Sequence, residues 1–376
     1  MTAPLRAVVA DDSVLFRALL VRSLASLGGV EVVGQAKNGA EAVELVRQLG
    51  PDLLTLDLNM PVLDGLGALR AMREAKSNCE VIVVSSETQQ GAAVTLEALQ
   101  LGAVDFITKP AAENALLSAE ALCCAMRRQL AVVRMRRDRR QQLDGSSSKA
   151  TVAAVVPASQ GSIKLEVADK RNSVGSLRVA GTAPEIIAIG SSTGGPAALP
   201  VLLGGLPATL PVAVLIVQHM PPLFTACLAD SLGRKCALQV VEGREGQAIS
   251  PGHVYLAPGG RHMKVRRARD QTPTLQISDE PPENFCRPSV DTLFRSVSEV
   301  YGGRVIAAIL TGMGNDGVAG LRLLKTLGAR VLAQDEATCT VFGMPQEAIR
   351  AAVVDQVLPL GQIAPWILKF VLPNAR

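Results

Sequence analysis

Two adjacent serines, Ser191 and Ser192, stand between the apolar run "EIIAIG" and the glycine pair of "TGGP". A hydroxyl there can be a nucleophile if a base takes its proton. It can equally belong to a phosphate-cradling loop or to a tight strand-to-helix turn. His219 follows the apolar run "VAVLIVQ", and Asp316 follows "RVIAAILTGMGN". An imidazole held in one tautomer by a carboxylate is the base that a serine hydroxyl requires. The chain has three histidines. His253 and His262 flank an expected hairpin, where polar edge positions suit them, so His219 is the candidate base. A second set lies toward the amino terminus. Asp11 and Asp12 follow "RAVVA", Asp57 closes "DLLTLD", Ser85 closes "EVIVVS" and Lys109 follows "VDFIT". Crowded carboxylates call for a cation, and an all-oxygen donor set suits Mg²⁺. A carboxylate beside a metal and a lysine can accept a phosphoryl group, one of whose oxygens the Ser85 hydroxyl can bind. Each of these groups alone reads as a solvated loop residue; together, at successive strand ends, they do not.

The elements that must position these groups follow from periodicity. From the start to about residue 125, short apolar runs alternate with helical stretches such as "SVLFRALLVRSLASLG", with Phe16, Leu20, Leu24 and Leu27 on one face. Five strand–helix repeats predict a parallel sheet covered on both faces, with its ligands at the carboxyl ends of the strands. From Glu185 the alternation resumes. "EIIAIG", "VAVLIVQ" and "RVIAAIL" have the unbroken apolar character of buried parallel strands, while "HVYLAPGGRHMKV" and "TLQIS" suit shorter, antiparallel ones. Between the two units, "RRQLAVVRMRRDRRQQLDGSSSK" is basic and then Ser-rich, which predicts a solvated helix end running into a flexible linker. The expected organisation is an α/β unit over residues 1–125, a basic then Ser/Gly-rich linker over 126–183, and a doubly wound, mainly parallel α/β unit over 184–376.

Composition sets limits on function. The chain of 376 residues is 48% hydrophobic and 19% charged, and its formal net charge is +4. That balance gives no whole-chain argument for nucleic acid, and no basic recognition helix stands out in the second half, so DNA is not an expected partner. Seven scattered cysteines without a metal-type CxxC read as reduced thiols of a cytoplasmic protein. The opening "MTAPLRAVVADD" meets acids too early for a signal peptide. Residues 186–218 carry no charge, but Pro196, Pro200, Pro207 and Pro211 interrupt them, so membrane insertion is not expected.

A rival reading rests on "GMGNDG", residues 312–317, which matches GxGxxG, follows a strand and opens a helix. The next strand leads to Asp335, about where a dinucleotide-binding fold places its ribose-binding acid. A dinucleotide-dependent oxidoreductase is therefore an alternative, although it leaves "GSSTGG" and His219 without a role.

The motif set resolves these choices by resemblance. "VVADDSVLFR", "LDLNMPVLDG", "VVSSE" and "DFITKP" resemble the two-component receiver family, with its flavodoxin-like (βα)₅ fold. That resemblance implies phosphorylation at Asp57 and Mg²⁺ held by Asp12, Asp57 and the Asn59 carbonyl with help from Asp11. It also implies Lys109 and Ser85 on the phosphoryl group, Phe106 as the aromatic switch and a chemotaxis histidine kinase as phosphodonor. "AIGSSTGGP", "VQHMPPLFTACLA", "YLAPGGRHM", "RPSVDTLF", "LTGMGNDGVAG" and "QDEATCTVFGMPQEAI" resemble the catalytic domain of the chemotaxis protein-glutamate methylesterase family. This implies Ser192 as nucleophile, His219 as base and Asp316 as its orienting partner, with Ser191 a turn residue. The Thr193 and Met313 amides become oxyanion candidates. The implied activity is phosphorylation-activated hydrolysis of glutamate methyl esters on methyl-accepting chemoreceptors, with methanol released and receptor glutamine deamidated, and no cofactor in this half. Arg287, in "RPSVD", is left between substrate recognition and an ordinary ion pair. A non-catalytic receiver acting as a phosphate sink is the remaining alternative.

Overall fold

The computed structural model describes residues 3–109, 115–147 and 183–372. The amino-terminal unit runs β1 (Leu5–Ala10), α1 (Val14–Ser26), β2 (Val30–Ala36), α2 (Gly39–Leu49), β3 (Leu53–Asp57), α3 (Gly65–Glu74), β4 (Glu80–Ser85), α4 (Gln89–Gln100), β5 (Asp105–Thr108) and α5 (Ala115–Ser147). Its sheet has the order β2-β1-β3-β4-β5 and is parallel throughout. The order reverses between β1 and β3, where a ligand crevice opens. The helices start where side chains accept their first free amides: Ser13 for α1, Asn38 for α2, Asp64 for α3 and Thr88 for α4.

The carboxy-terminal unit continues with β6 (Ile186–Ser191), α6 (Gly195–Gly204), β7 (Ala213–Gln218), α7 (Phe224–Gly233), β8 (Gln239–Glu242), β9 (His253–Leu256), β10 (His262–Arg267) and β11 (Pro273–Ser278). It closes with α8 (Val290–Tyr301), β12 (Val305–Ile309), α9 (Val318–Thr326), β13 (Arg330–Gln334), α10 (Met344–Arg350), β14 (Gln356–Leu358) and α11 (Leu360–Val371). Seven parallel strands form one sheet in the order β14-β13-β12-β6-β7-β9-β8. Strands β6, β7 and β12 are buried along their whole length, as their unbroken apolar runs require. The antiparallel expectation holds for β10 and β11, which pair with each other. It fails for "HVYL": β9 lies inside the main parallel sheet between β7 and β8. Short strands at a sheet's margin carry too little periodicity to reveal their direction.

The expected linker is also corrected at its start. Helix α5 continues to Ser147. Its arginines are not a solvated end: Arg136 and Arg140 both reach buried Glu80 at the start of β4, at 2.9 and 3.0 Å. Arg137 donates to the carbonyls of Ala3 and Pro4. Arg136 and Arg139 donate to the carbonyls of Thr340 and Glu336 in the other unit. The rest of that linker, 148–182, lies outside the described residues.

The two units share a seam. Helix α4 packs on α6 and α7, so that Ala92, Leu96 and Leu99 belong to the same apolar cluster as Phe224, Leu228 and Leu232. Val132 of α5 meets Val104 and Val341. Glu80→Ala leaves two arginines without their shared carboxylate; because both are about one-third exposed, the expected loss is about 1–3 kcal/mol, read from urea unfolding.

Candidate active site

Two clusters lie at strand ends, one in each unit. In the first, Asp11 directly follows β1 and Asp57 ends β3; both are buried. Lys109, just after β5, lies 2.8 Å from Asp57 Oδ2 and 2.9 Å from Asp11 Oδ2. Burial raises the Asp57 carboxyl's pKa even though Lys109 opposes that shift. Burial works against the Lys109 charge, but Asp57 and Asp11 more than offset it and its pKa is raised. Asp12 is exposed, and a carboxylate oxygen from each of Asp11, Asp12 and Asp57 falls within 4.8 Å of the others. Lys109 is near Asp11 Oδ2 but off the hydrogen-bonding direction, so this buried oxygen keeps an unused lone pair. An all-oxygen set with a spare carboxylate oxygen fits a hard divalent cation. The backbone amide of Asn59 donates to Asp57 Oδ1 at 3.3 Å. Ser85 is buried, with its hydroxyl directed at the Gly91 carbonyl, and it lines the same small cleft as Asp57 and Asn59.

The second cluster forms around β6, β7 and β12. Ser192 follows β6 and His219 follows β7, brought level because Ser191 pairs with Gln218 and the His219 amide donates to the Ser191 carbonyl. Asp316 sits in the loop between β12 and α9. His219 Nε2 and Asp316 Oδ2 are 2.8 Å apart. Asp316 also accepts from the backbone amides of Val290 and Asp291, from the Ser289 hydroxyl and from the Asn284 side-chain amide. The first three belong to the start of α8, so this carboxylate sits at a helix amino terminus, where negative charge is favoured. Burial alone would raise its pKa, but His219 and these donors hold it down at about 2. For His219, burial works against the charge, and the contacts with Asp316 and Cys286 carry its pKa up to about 9.

Ser192 and His219 line one cleft of about 580 Å³ with Cys286, Arg287 and Met313. The opposite wall is Asp105, Phe106 and Ile107 of β5 and Arg128 and Gln129 of α5. The Thr193 hydroxyl, next to Ser192, donates to Asp105 at 2.5 Å, and Phe106 stacks on Phe224 with ring centroids 4.5 Å apart. Burial raises the Asp105 pKa. Among the described residues, nothing hydrogen-bonds to the Ser192 hydroxyl, and the Thr193 and Met313 amides have no acceptor. Arg287 donates to the carbonyls of Asp279 and Glu280.

The glycines after Ser192 are obligatory. Gly194 has φ +85°, and a Cβ there would come within 2.4 Å of Thr340; one on Gly195 would meet Gln218 Oε1 at 1.8 Å. Ser191 is not a turn residue: it ends β6, and its buried hydroxyl donates to Gln218 Oε1 at 2.7 Å. The loop 312–317 is also accounted for. Gly312 lies so close to Ser192 that a Cβ would stand 2.7 Å from the serine Cβ, and Asp335 is occupied by Thr338.

Sequence reasoning missed several supporting groups. Gln218 donates to the Ser192 carbonyl at 2.8 Å while accepting from Ser191, and so fixes the serine loop. Its only sequence signal was a polar residue ending an apolar strand. His262 is fully buried rather than at a polar edge: Nδ1 accepts from the Ser289 amide and Nε2 donates to the Pro281 carbonyl. It thereby steadies the start of α8 on which Asp316 depends.

The comparisons with known proteins agree with this arrangement of two units. A family model described as a response regulator receiver domain matches residues 7–120, and one described as CheB methylesterase matches 187–367. A protein-glutamate methylesterase/protein-glutamine glutaminase of Desulfotalea psychrophila is 41% identical over 97% of this chain and 98% of its own. One of the same name from Archaeoglobus fulgidus is 42% identical over the same shares. The solved catalytic domain of CheB methylesterase from Thermotoga maritima is 39% identical, covering 50% of this chain and all of its own, with a TM-score of 0.49. The architecture is that of a response regulator with an α/β effector unit. The chain belongs to the CheB methylesterase family.

With its pKa near 9 against an ordinary 6.5, protonated His219 stabilises the fold fully below about pH 6.5, and that contribution is lost as pH rises through about 9. An NMR titration of the imidazole should therefore give a midpoint near 9, falling toward the ordinary value in Asp316→Asn.

Proposed function

We propose that this protein removes methyl groups from glutamate methyl esters on methyl-accepting chemoreceptors in the cytoplasm and deamidates receptor glutamines, under control of phosphorylation at Asp57. The names of its relatives supply the reaction. The observation that carries the assignment to this chain is the His219–Asp316 pair beside Ser192 in a cleft walled by the receiver's own β5.

Ser192 is the nucleophile. Because Nε2 of His219 is committed to Asp316, Nδ1 is the atom that takes the serine proton. Attack on the ester carbonyl forms the acyl-enzyme, with the oxyanion received by the Thr193 and Met313 amides. Methanol leaves with the proton from Nδ1; ammonia leaves in the same way from a glutamine. Water, deprotonated at Nδ1, then frees the carboxylate. No metal or organic cofactor enters these steps.

In the receiver, Asp11, Asp12, Asp57 and the Asn59 carbonyl would hold Mg²⁺, which neutralises charge during phosphoryl transfer from a chemotaxis histidine kinase. Lys109 and Ser85 bind the phosphoryl oxygens. Phosphorylation draws on Lys109 at the far end of β5, whose first residues Asp105 and Phe106 touch Thr193 and Phe224, and so shifts the population from closed to open. We place the domain boundaries at the end of α5, with residues 1–147 acting as the regulatory unit and 184–376 as the catalytic one.

Methanol release from methylated receptor membranes is expected to rise with a small phosphodonor and Mg²⁺, and to vanish in Ser192→Ala; release without phosphodonor dependence would reject the gating. In Phe106→Ala, loss of the stack weakens the closed form by about 1 kcal/mol. Basal release should rise about fivefold, and the stimulation ratio should fall.

A further inference from the structure

Cys286 has no part in the hydrolysis, yet its Sγ lies 3.7 Å from His219 Nδ1. The other ring nitrogen faces Asp316. An imidazole that donates Nε2–H to a carboxylate offers Nδ1 as a lone pair. This carboxylate–histidine arrangement is the one that commonly backs a metal ligand. Zinc bonds of about 2.0–2.1 Å to nitrogen and about 2.3 Å to sulfur, at a tetrahedral angle, place those two atoms about 3.6 Å apart. The observed separation matches that without movement of either side chain. The sulfur, a ring nitrogen and an Asp316 oxygen lie within 4.8 Å of one another. Asp316 sits across the ring from Nδ1, so it orients the imidazole and does not ligate. The remaining positions face the cleft that Ser192 also lines. Mg²⁺, which takes oxygen ligands, does not compete for such a pair.

We propose that Cys286 and His219 form a binding site for a soft divalent cation of the Zn²⁺ class, which holds the esterase off by occupying its base. On binding the thiol gives up its proton and Nδ1 gives up the one it carries below its raised pKa, both released to solvent; the metal then holds the Nδ1 lone pair, so the ring can no longer receive the Ser192 proton. The binding half stands on the geometry alone. The inhibitory half rests on the assignment of His219 as base.

Co²⁺ serves as the probe, added to the full-length protein under a non-thiol reductant. A near-ultraviolet thiolate-to-cobalt band saturating at one equivalent is expected in the wild type and in Ser192→Ala. It should be lost in Cys286→Ala and equally in Cys286→Ser, which keeps the side chain's shape but supplies no thiolate. Zn²⁺ should displace the band. Zn²⁺ should also suppress wild-type methanol release at concentrations at least tenfold below those needed for Cys286→Ala. No band in the wild type, or an unchanged band in both Cys286 variants, overturns the site. Equal Zn²⁺ sensitivity of wild type and Cys286→Ala overturns the inhibition. A protein that binds Co²⁺ as expected but releases no methanol under any condition rejects the esterase reading and leaves the metal site standing.

Discussion

The carboxylate of Asp316 is the joint on which the carboxy-terminal unit is organised. It takes one hydrogen bond from His219 and four from Asn284, Ser289, Val290 and Asp291 around the start of α8. A buried carboxylate without such donors would be driven toward its neutral form. With them it stays ionised and fixes which nitrogen of His219 is free. The same contacts tie β7, β12 and α8 together at one point. His262 extends the arrangement by holding the Ser289 amide from beneath. The orientation of the imidazole is thus a property of the fold and not of one side chain.

The seam between the units acts on that joint from the other side. Asp105 and Phe106 are consecutive residues of a short strand whose far end leads to Lys109. One touches the residue after the candidate nucleophile, and the other stacks on the first residue of α7. Three residues of β5 therefore separate Asp105, which touches the serine loop, from Lys109, which pairs with Asp57. β5 is a part-buried edge strand held in its sheet through β4. Helix α5 adds a second tie through Arg136, Arg139 and Val132. The seam is held by packing and hydrogen bonds of modest individual strength.

Much of this was legible in the sequence. The unbroken apolar runs gave the parallel strands. The rule that such strands present their carboxyl ends to ligands gathered Asp11, Asp57, Ser85 and Lys109 on one edge, and Ser192, His219 and Asp316 on another. What failed shares one cause. The direction of β9, the length and anchoring of α5, the burial of His262, and the roles of Gln218 and Cys286 all depend on partners distant in sequence. Arginines that pair with Glu80 from another element have the same local signature as arginines in water.

By itself the sequence determined the order of elements, the two α/β units and the chemistry available at each strand end, because periodicity and residue type act locally. Only the tertiary structure decided that β5 would wall the serine cleft, that Asp316 would meet Nε2 and leave Nδ1 to Cys286, and that the glycine loop would lie against Ser192. Those are distances between residues tens to hundreds of positions apart. Packing sets them, and no local pattern encodes them.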